Sequence, residues 1–244
     1  TDKKDETMAQ DDQLLLHKHS RREFRTRMNS GELKACIIPV AAIEQHLEHL
    51  AMEHDWRSAN HIAIEVARKL SPSVLVAQGV MAGISEHHMK HPGTLTLLPA
   101  TFLAVLGDLI DSVVRAGFTN ILVLNGHGGN IVPCNGVWDQ MLRRFQVNLQ
   151  FLPYWDVLTS EDAELLETKR IPGHAQEFET AFALAAFPDN VRSDAVSDQP
   201  DPEPATATAE PGAELIDRTV ERVAEFVEQM ISGENTAEIP AFFK

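Results

Sequence analysis

Cysteine is scarce in this chain: Cys36 and Cys134 are the only two among 244 residues. They have no C-x-x-C spacing and lie far apart, which excludes a disulfide framework and a thiolate zinc site. Both sit in apolar or strand-adjacent stretches, so a reduced, cytoplasmic compartment is the expectation. Positive charge is also short, with 21 Lys and Arg against 36 Asp and Glu for a net charge of −15. A surface of that sign repels nucleic acid and anionic membranes, and neither is expected as a partner. No apolar run reaches the ~20 residues of a membrane-spanning helix. The charged start TDKKDETMAQDDQ contains no signal-peptide core. Internal repeats are absent, and no Gly-Lys-Ser/Thr ending follows the glycine-rich loop NGHGGN.

What is present suffices for one domain, since a chain of this size buries roughly 70–75% of its unfolded surface. Residues 34–43 (KACIIPVAAI), 73–80, 120–124 and 147–152 read as buried strands. Residues 56–70, 100–116, 131–145 and 175–187 read as helices. Asp55 stands as N-cap of the first, Pro99 opens the second, Gly117 stops it, and Pro188 closes the last. Strands spaced by helices of this length pair in parallel through right-handed crossovers. The expected fold is therefore α/β, a three-layer α/β/α sandwich with a mostly parallel sheet. Ligands of such sheets bind beyond the carboxyl ends of the strands. The domain plan is a frayed N-terminal segment at 1–19 and an α/β core at 20–192. A Pro-, Ala- and acid-rich linker or surface segment follows at 193–212. A C-terminal helix and tail occupy 213–244 and dock on the core or on a neighbouring subunit.

The eleven histidines matter through their placement. In IEQHLEHLAMEHD, Glu44 and His46 are two apart, so an extended segment presents both on one face. A carboxylate beside an imidazole suits Zn, Mn or Fe. Asp55 is either a bridging carboxylate or simply a helix cap. In NGHGGN, the glycines flanking His127 clear space near a metal, and Asn125 and Asn130 tie the turn down. A plain glycine-rich turn is the other reading. In GHAQEFETAF, His174 precedes a helix whose first turns carry Glu177 and Glu179. Those acids either favour the helix dipole or serve a site in which His174 carries protons. Finally, GISEHHMKHPGTLTL is long for a strand-to-helix connection and polar enough for a substrate loop.

Together these four segments resemble the creatininase (creatinine amidohydrolase) family, in order, over about residues 37–191. The shared motifs are Glu44-x-His46 with Asp55 downstream, Pro92-Gly93-Thr94, Asn125-Gly126-His127, and His174-Ala175-x-x-x-Glu179-Thr180. The resemblance implies a hydrolase with two divalent ions, Zn, Mn or Fe. Glu44, Asp55 and His127 would hold one ion; His46, Asp55 and Glu179 would hold the other; His174 would be the catalytic proton carrier. Substrate contacts would come from His49, Glu86, His87, His88, His91, Gly128 and Gly129. Three departures stand out. Gly129 replaces a metal-binding Glu of creatininase proper. His46-Leu47-Glu48-His49-Leu50-Ala51 replaces His-Gly-Pro-His-Leu-Pro. His91 replaces the usual Phe before Pro-Gly-Thr. These turn the expectation from creatinine to a small polar, cyclic substrate opened at a C–N bond. One alternative is C–C hydrolysis of a diketo-inositol ring of the 3-dehydro-scyllo-inosose type. Another is a non-catalytic metal-binding protein on the same fold. The family also implies a homo-oligomer, often a hexamer.

Overall fold

Every residue of strand β1, Ala35–Val40, is buried, so both faces of the sheet are covered there. The computed structural model describes residues 13–239. Strands β2 (Val74–Val76), β3 (Asn120–Asn125) and β4 (Asn148–Pro153) complete a sheet of order β2-β1-β3-β4, parallel throughout. Successive side chains of β1 alternate between two cores. Ala35 and Ile37 join one with Leu122 and Leu124, while Cys36, Ile38 and Val40 join the other with Ile121 and Val123. This is the expected three-layer sandwich.

Helices α1 (Arg21–Asn29), α3 (Pro99–Arg115), α4 (Ile131–Asn135) and α5 (Trp138–Phe145) follow or flank the strands. The core on the Ile38 side takes Phe102, Leu106 and Ile110 from α3 and Leu142 and Phe145 from α5. The opposite core takes Ile62 and Val66 of α2 (His54–Lys69) and Phe178 and Phe182 of α7 (Glu177–Ala186). It also takes Leu215, Val223 and Val227 of α8 (Ala209–Ser232). A one-turn helix α6 (Ser160–Ala163) precedes α7.

Several boundaries differ from the sequence reading. The expected helix at 131–145 is two helices, because the chain turns at Gly136 and Val137. β1 stops at Val40 and β2 at Val76, since the residues beyond turn into loops around the site. α7 starts at Glu177 rather than 175 because Ala175 has a left-handed backbone, φ +54°. Of the segment expected to fray, residues 1–12 lie outside the described residues. Leu14 is buried, and its carbonyl accepts the Val76 N–H at 2.8 Å. The 193–212 segment hugs the surface through Gln199, Asp201 and buried Pro204, and α8 begins inside it. α8 packs on α7 and α2 of its own chain.

The sheet order fixes where a ligand belongs. From β1 the chain crosses by α2 to β2 on one side, then by α3 to β3 on the other. The loops leaving β1 and β3 therefore part, and a crevice opens between their carboxyl ends.

Candidate metal centre

Glu44 and His46 leave β1 into that crevice, and both are buried. Asp55 lies in the first turn of α2 and accepts at both oxygens. His46 Nε2 is 2.9 Å from Oδ1, and His127 Nδ1 is 2.9 Å from Oδ2. It is no N-cap; that place belongs to Glu53. His127 follows β3, and Gly126 lets the loop press against α2, because a Cβ there would lie 2.6 Å from the Asp55 carbonyl. Asn125 and Asn130 fasten this turn: Asn125 Nδ2 donates to the His127 carbonyl at 2.7 Å, and Asn130 Nδ2 donates to Asn125 Oδ1 at 3.1 Å.

Outer bonds set which imidazole nitrogen faces the carboxylates. His46 Nδ1–H donates to the Glu44 carbonyl at 3.0 Å, and His127 Nε2–H donates to the Ile84 carbonyl at 3.0 Å. His46 Nε2 and His127 Nδ1 are thereby turned inward. Glu179, in the first turn of α7, accepts the Ala175 N–H and lies 3.7 Å from His46 Nε2. Glu44 Oε2 accepts from Ser85 Oγ. Its Oε1 lies 3.4 Å from His127 Nδ1, 3.6 Å from His174 Nδ1 and 3.8 Å from His88 Nε2. Among the described residues, three groups place their ligand atoms within 4.8 Å of one another: His46–Asp55–Glu179, Glu44–His46–His174 and Glu44–His87–His127. Carboxylates and singly available imidazole nitrogens, steered by outer hydrogen bonds, are a donor set that fits divalent ions.

His174 closes the crevice. Gln45 Nε2–H donates to His174 Nε2 at 2.7 Å and to His88 Nδ1 at 2.9 Å, while Gln45 Oε1 accepts the Leu47 N–H at 3.0 Å. That backbone bond orients the amide, so His174 accepts at Nε2 and carries its proton on Nδ1, towards Glu44. Burial and the nearby His46 cation lower His174 to about 4, which keeps it neutral.

Charge in the cluster is tightly balanced. Burial opposes the cationic forms of His46 and His127, but Asp55 beside both outweighs it, raising His46 to about 9 and His127 to about 10. Burial raises Glu179 to about 7, and the two imidazoles hold Asp55 well below the carboxylate range despite burial. The raised histidines stabilise the metal-free fold fully below their unfolded pKa of about 6.5, and that stability is lost as pH rises through 9 to 10. The raised Glu179 has the same sign over a lower window, its contribution being lost between its ordinary value of about 4.5 and about 7, so the fall above pH 7 comes from the two histidines. The metal-free protein is therefore expected to melt progressively lower between pH 7 and 10, while divalent ions bind more tightly and release protons. Thermal melts in chelator and calorimetry in buffers of different ionisation enthalpy check this; a flat melting temperature in chelator would contradict it.

A cavity of about 330 Å³ opens on the cluster. Its walls include Glu44, Asp55, His127, His174 and Glu179, together with His87, His88, Gly128 and Gly129. His49 is elsewhere: it is fully buried, with Nε2 2.8 Å from Thr180 Oγ1 and Nδ1 accepting from Gln199 at 3.1 Å, so it braces the fold instead of facing the mouth. Glu86 and His91 are exposed and do not line the cavity. Glu177 accepts the Glu167 and Thr168 N–H groups at 2.9 and 2.7 Å and takes no part in the cluster. Gln45, Ser85, Trp155 and Pro172 were not singled out from the sequence. Trp155 just after β4 was findable, because it stands at the carboxyl end of a parallel strand.

Clustered imidazoles and carboxylates at the switch point of a parallel sheet mark an α/β protein whose site has a donor set that fits divalent ions. The creatininase family model, described as creatinine amidohydrolase, matches residues 17–206, and the chain belongs to the creatininase family, whose members are hydrolases. It is similar to creatinine amidohydrolase of Pseudomonas putida, 28% identical over 73% of this chain and 74% of that one. It is also similar to 3-dehydro-scyllo-inosose hydrolase of Thermotoga maritima, 29% identical over 69% of this chain but only 54% of that enzyme. A creatininase crystal structure superposes with TM-score 0.80 at 25% identity, covering 89% of this chain and 98% of the other. A manganese form of creatininase has the same fold, with TM-score 0.77 at 24% identity and the same coverage.

Proposed function

We propose that this chain is a divalent-metal-dependent hydrolase that opens a small polar, cyclic substrate at a C–N bond. The observation that carries the reading is the cavity floored by Glu44, Asp55, His127 and Glu179, with His174 at its wall. Glu44, Asp55 and His127 would hold one ion and His46, Asp55 and Glu179 the other, each being Zn, Mn or Fe. When bound, the ions supply Lewis-acid chemistry, polarising a carbonyl and activating water near neutral pH. The chain's own groups do the rest. Gln45 fixes the His174 ring, and His174 Nδ1–H is the proton available to a leaving nitrogen. Trp155 and Pro172 give the cavity an apolar wall, while His87 and His88 give it a polar one.

A second substrate class has its own support. The rim imidazoles suit a polyhydroxylated ring, and the Thermotoga maritima relative acts on an inosose. Hydrolysis of a C–C bond in a diketo-inositol ring is therefore the second reading.

The free, buried Cys36 and Cys134 support a reducing, cytoplasmic setting. Exposed Met52, Met81, Met89, Leu95 and Leu98 lie on the segments leading to the site and support a homo-oligomer, and the family resemblance points to a hexamer. No helix among the described residues is long and apolar enough to cross a membrane.

The test follows ring opening by NMR for creatinine, polar cyclic amides and a diketo-inositol. Turnover is expected to stop on chelation and return with added Zn²⁺ or Mn²⁺. Undiminished turnover in strong chelator, or a purified chain that takes up no divalent ion, would sink the reading.

A further inference from the structure

Building on the metal-dependent reading above, we propose that His87 is a ligand of the first ion, completing a set with Glu44, Asp55 and His127. The ligand atoms of Glu44, His87 and His127 lie within 4.8 Å of one another. The His87 ring lies nearly parallel to that of His127, with centroids 5.7 Å apart and planes at 14°. His87 lines the cavity, yet neither of its ring nitrogens has a hydrogen-bond partner among the described residues. The neighbouring imidazoles differ: His46, His88, His127 and His174 are each held by hydrogen bonds. An exposed imidazole with both nitrogens free can close on an ion without breaking anything.

The loop that carries His87 is already keyed to the site. Just before its helical turn, Glu86–His88, the Ile84 carbonyl accepts from His127 and Ser85 donates to Glu44. The same short segment thus orients two ligands and presents a third. Position 129 explains why the third comes from here. A Cβ on Gly129 would lie 2.1 Å from the Ile84 carbonyl oxygen and 3.0 Å from His87 Cε1. No side chain from 129 can enter that space, and His87 stands at its edge. With His87, the first site holds two carboxylates and two imidazoles, four ligands in all, a set that favours Zn over Mn.

The experiment loads the full chain with Zn²⁺ or Co²⁺ and measures stoichiometry and affinity by elemental analysis and chelator competition. The wild type is expected to hold two ions. His87→Ala should keep the His46–Asp55–Glu179 ion and weaken the other at least as much as loss of a partner that only orients a ligand, about 10–100-fold. His87→Cys with Co²⁺ should show a thiolate-to-cobalt charge-transfer band that the wild type lacks, its own two cysteines being buried away from the cluster. That band also decides the matter should the Ala variant fold poorly. Unchanged affinity in His87→Ala, or no such band in a folded His87→Cys chain that binds cobalt, would overturn the ligand assignment alone. A wild type that binds no ion at all would overturn it together with the functional reading.

Discussion

Replacing Asp55 by Asn is expected to empty both ion sites and to lower the melting temperature of the metal-free chain at pH 7. Among the described residues, Asp55 is the one carboxylate within hydrogen-bond distance of both His46 and His127, through separate oxygens. Asn keeps the shape, but its amide meets one of the two rings with a donor where an acceptor stood. Removing one partner from a buried ion pair costs roughly 3–5 kcal/mol. At about 2–4 °C per kcal/mol for a chain of this size, the expected drop is about 6–20 °C. Differential scanning calorimetry in chelator and elemental analysis after reloading read the two effects separately. A variant that retains two ions and the wild-type melt would show that Asp55 neither bridges nor balances the cluster.

His174→Ala should act on rate and spare the ions. Loss of a positioned proton carrier costs on the order of 10²–10⁴ in kcat. The cluster itself is held by bonds that do not involve His174: Asp55 to both rings, Ser85 to Glu44, and Ala175 to Glu179. Metal content near normal with kcat reduced is the expected pair of results. Because His174 also lies within ligand reach of Glu44 and His46, the opposite outcome is specific. Should metal content and rate fall in proportion, His174 is a ligand and the proton carrier must be sought elsewhere.

How much of this was legible in the sequence depends on distance along the chain. The run ACIIPV is apolar at every residue and announces a strand covered on both faces, and from there the parallel α/β architecture follows. The split of the 131–145 helix depends on how the chain turns at Gly136–Val137, which the apolar periodicity did not register. Asp55 was ambiguous because a residue opening a helix can cap it or serve a site; in the structure Glu53 is the N-cap, and Asp55 meets His46 and His127 instead. Gln45 went unnoticed because a regular extended segment would send it away from Glu44 and His46. The left-handed backbone at Leu47, φ +53°, breaks that regularity and sets the Leu47 N–H on the Gln45 side chain. His49 was misplaced for the same reason, since spacing beyond that turn no longer tells which side of the loop faces the cavity.

Helix α8 packs against α2 and α7, the two helices that carry Asp55 and Glu179. Synthesis runs from the N-terminus at roughly 5–20 residues per second. Glu44, His46 and Asp55 thus leave the ribosome well before the apolar face of α8, with Leu215, Val223 and Val227, exists to cover those helices. Until then the two carboxylates stand on elements with one side bare, and their spacing is not fixed. On the metal-dependent reading, loading with ions would follow the docking of α8, and a chain still lacking that helix would have little means to select a metal. Selection would then fall to the chain with α8 in place, from whatever pool of ions surrounds it.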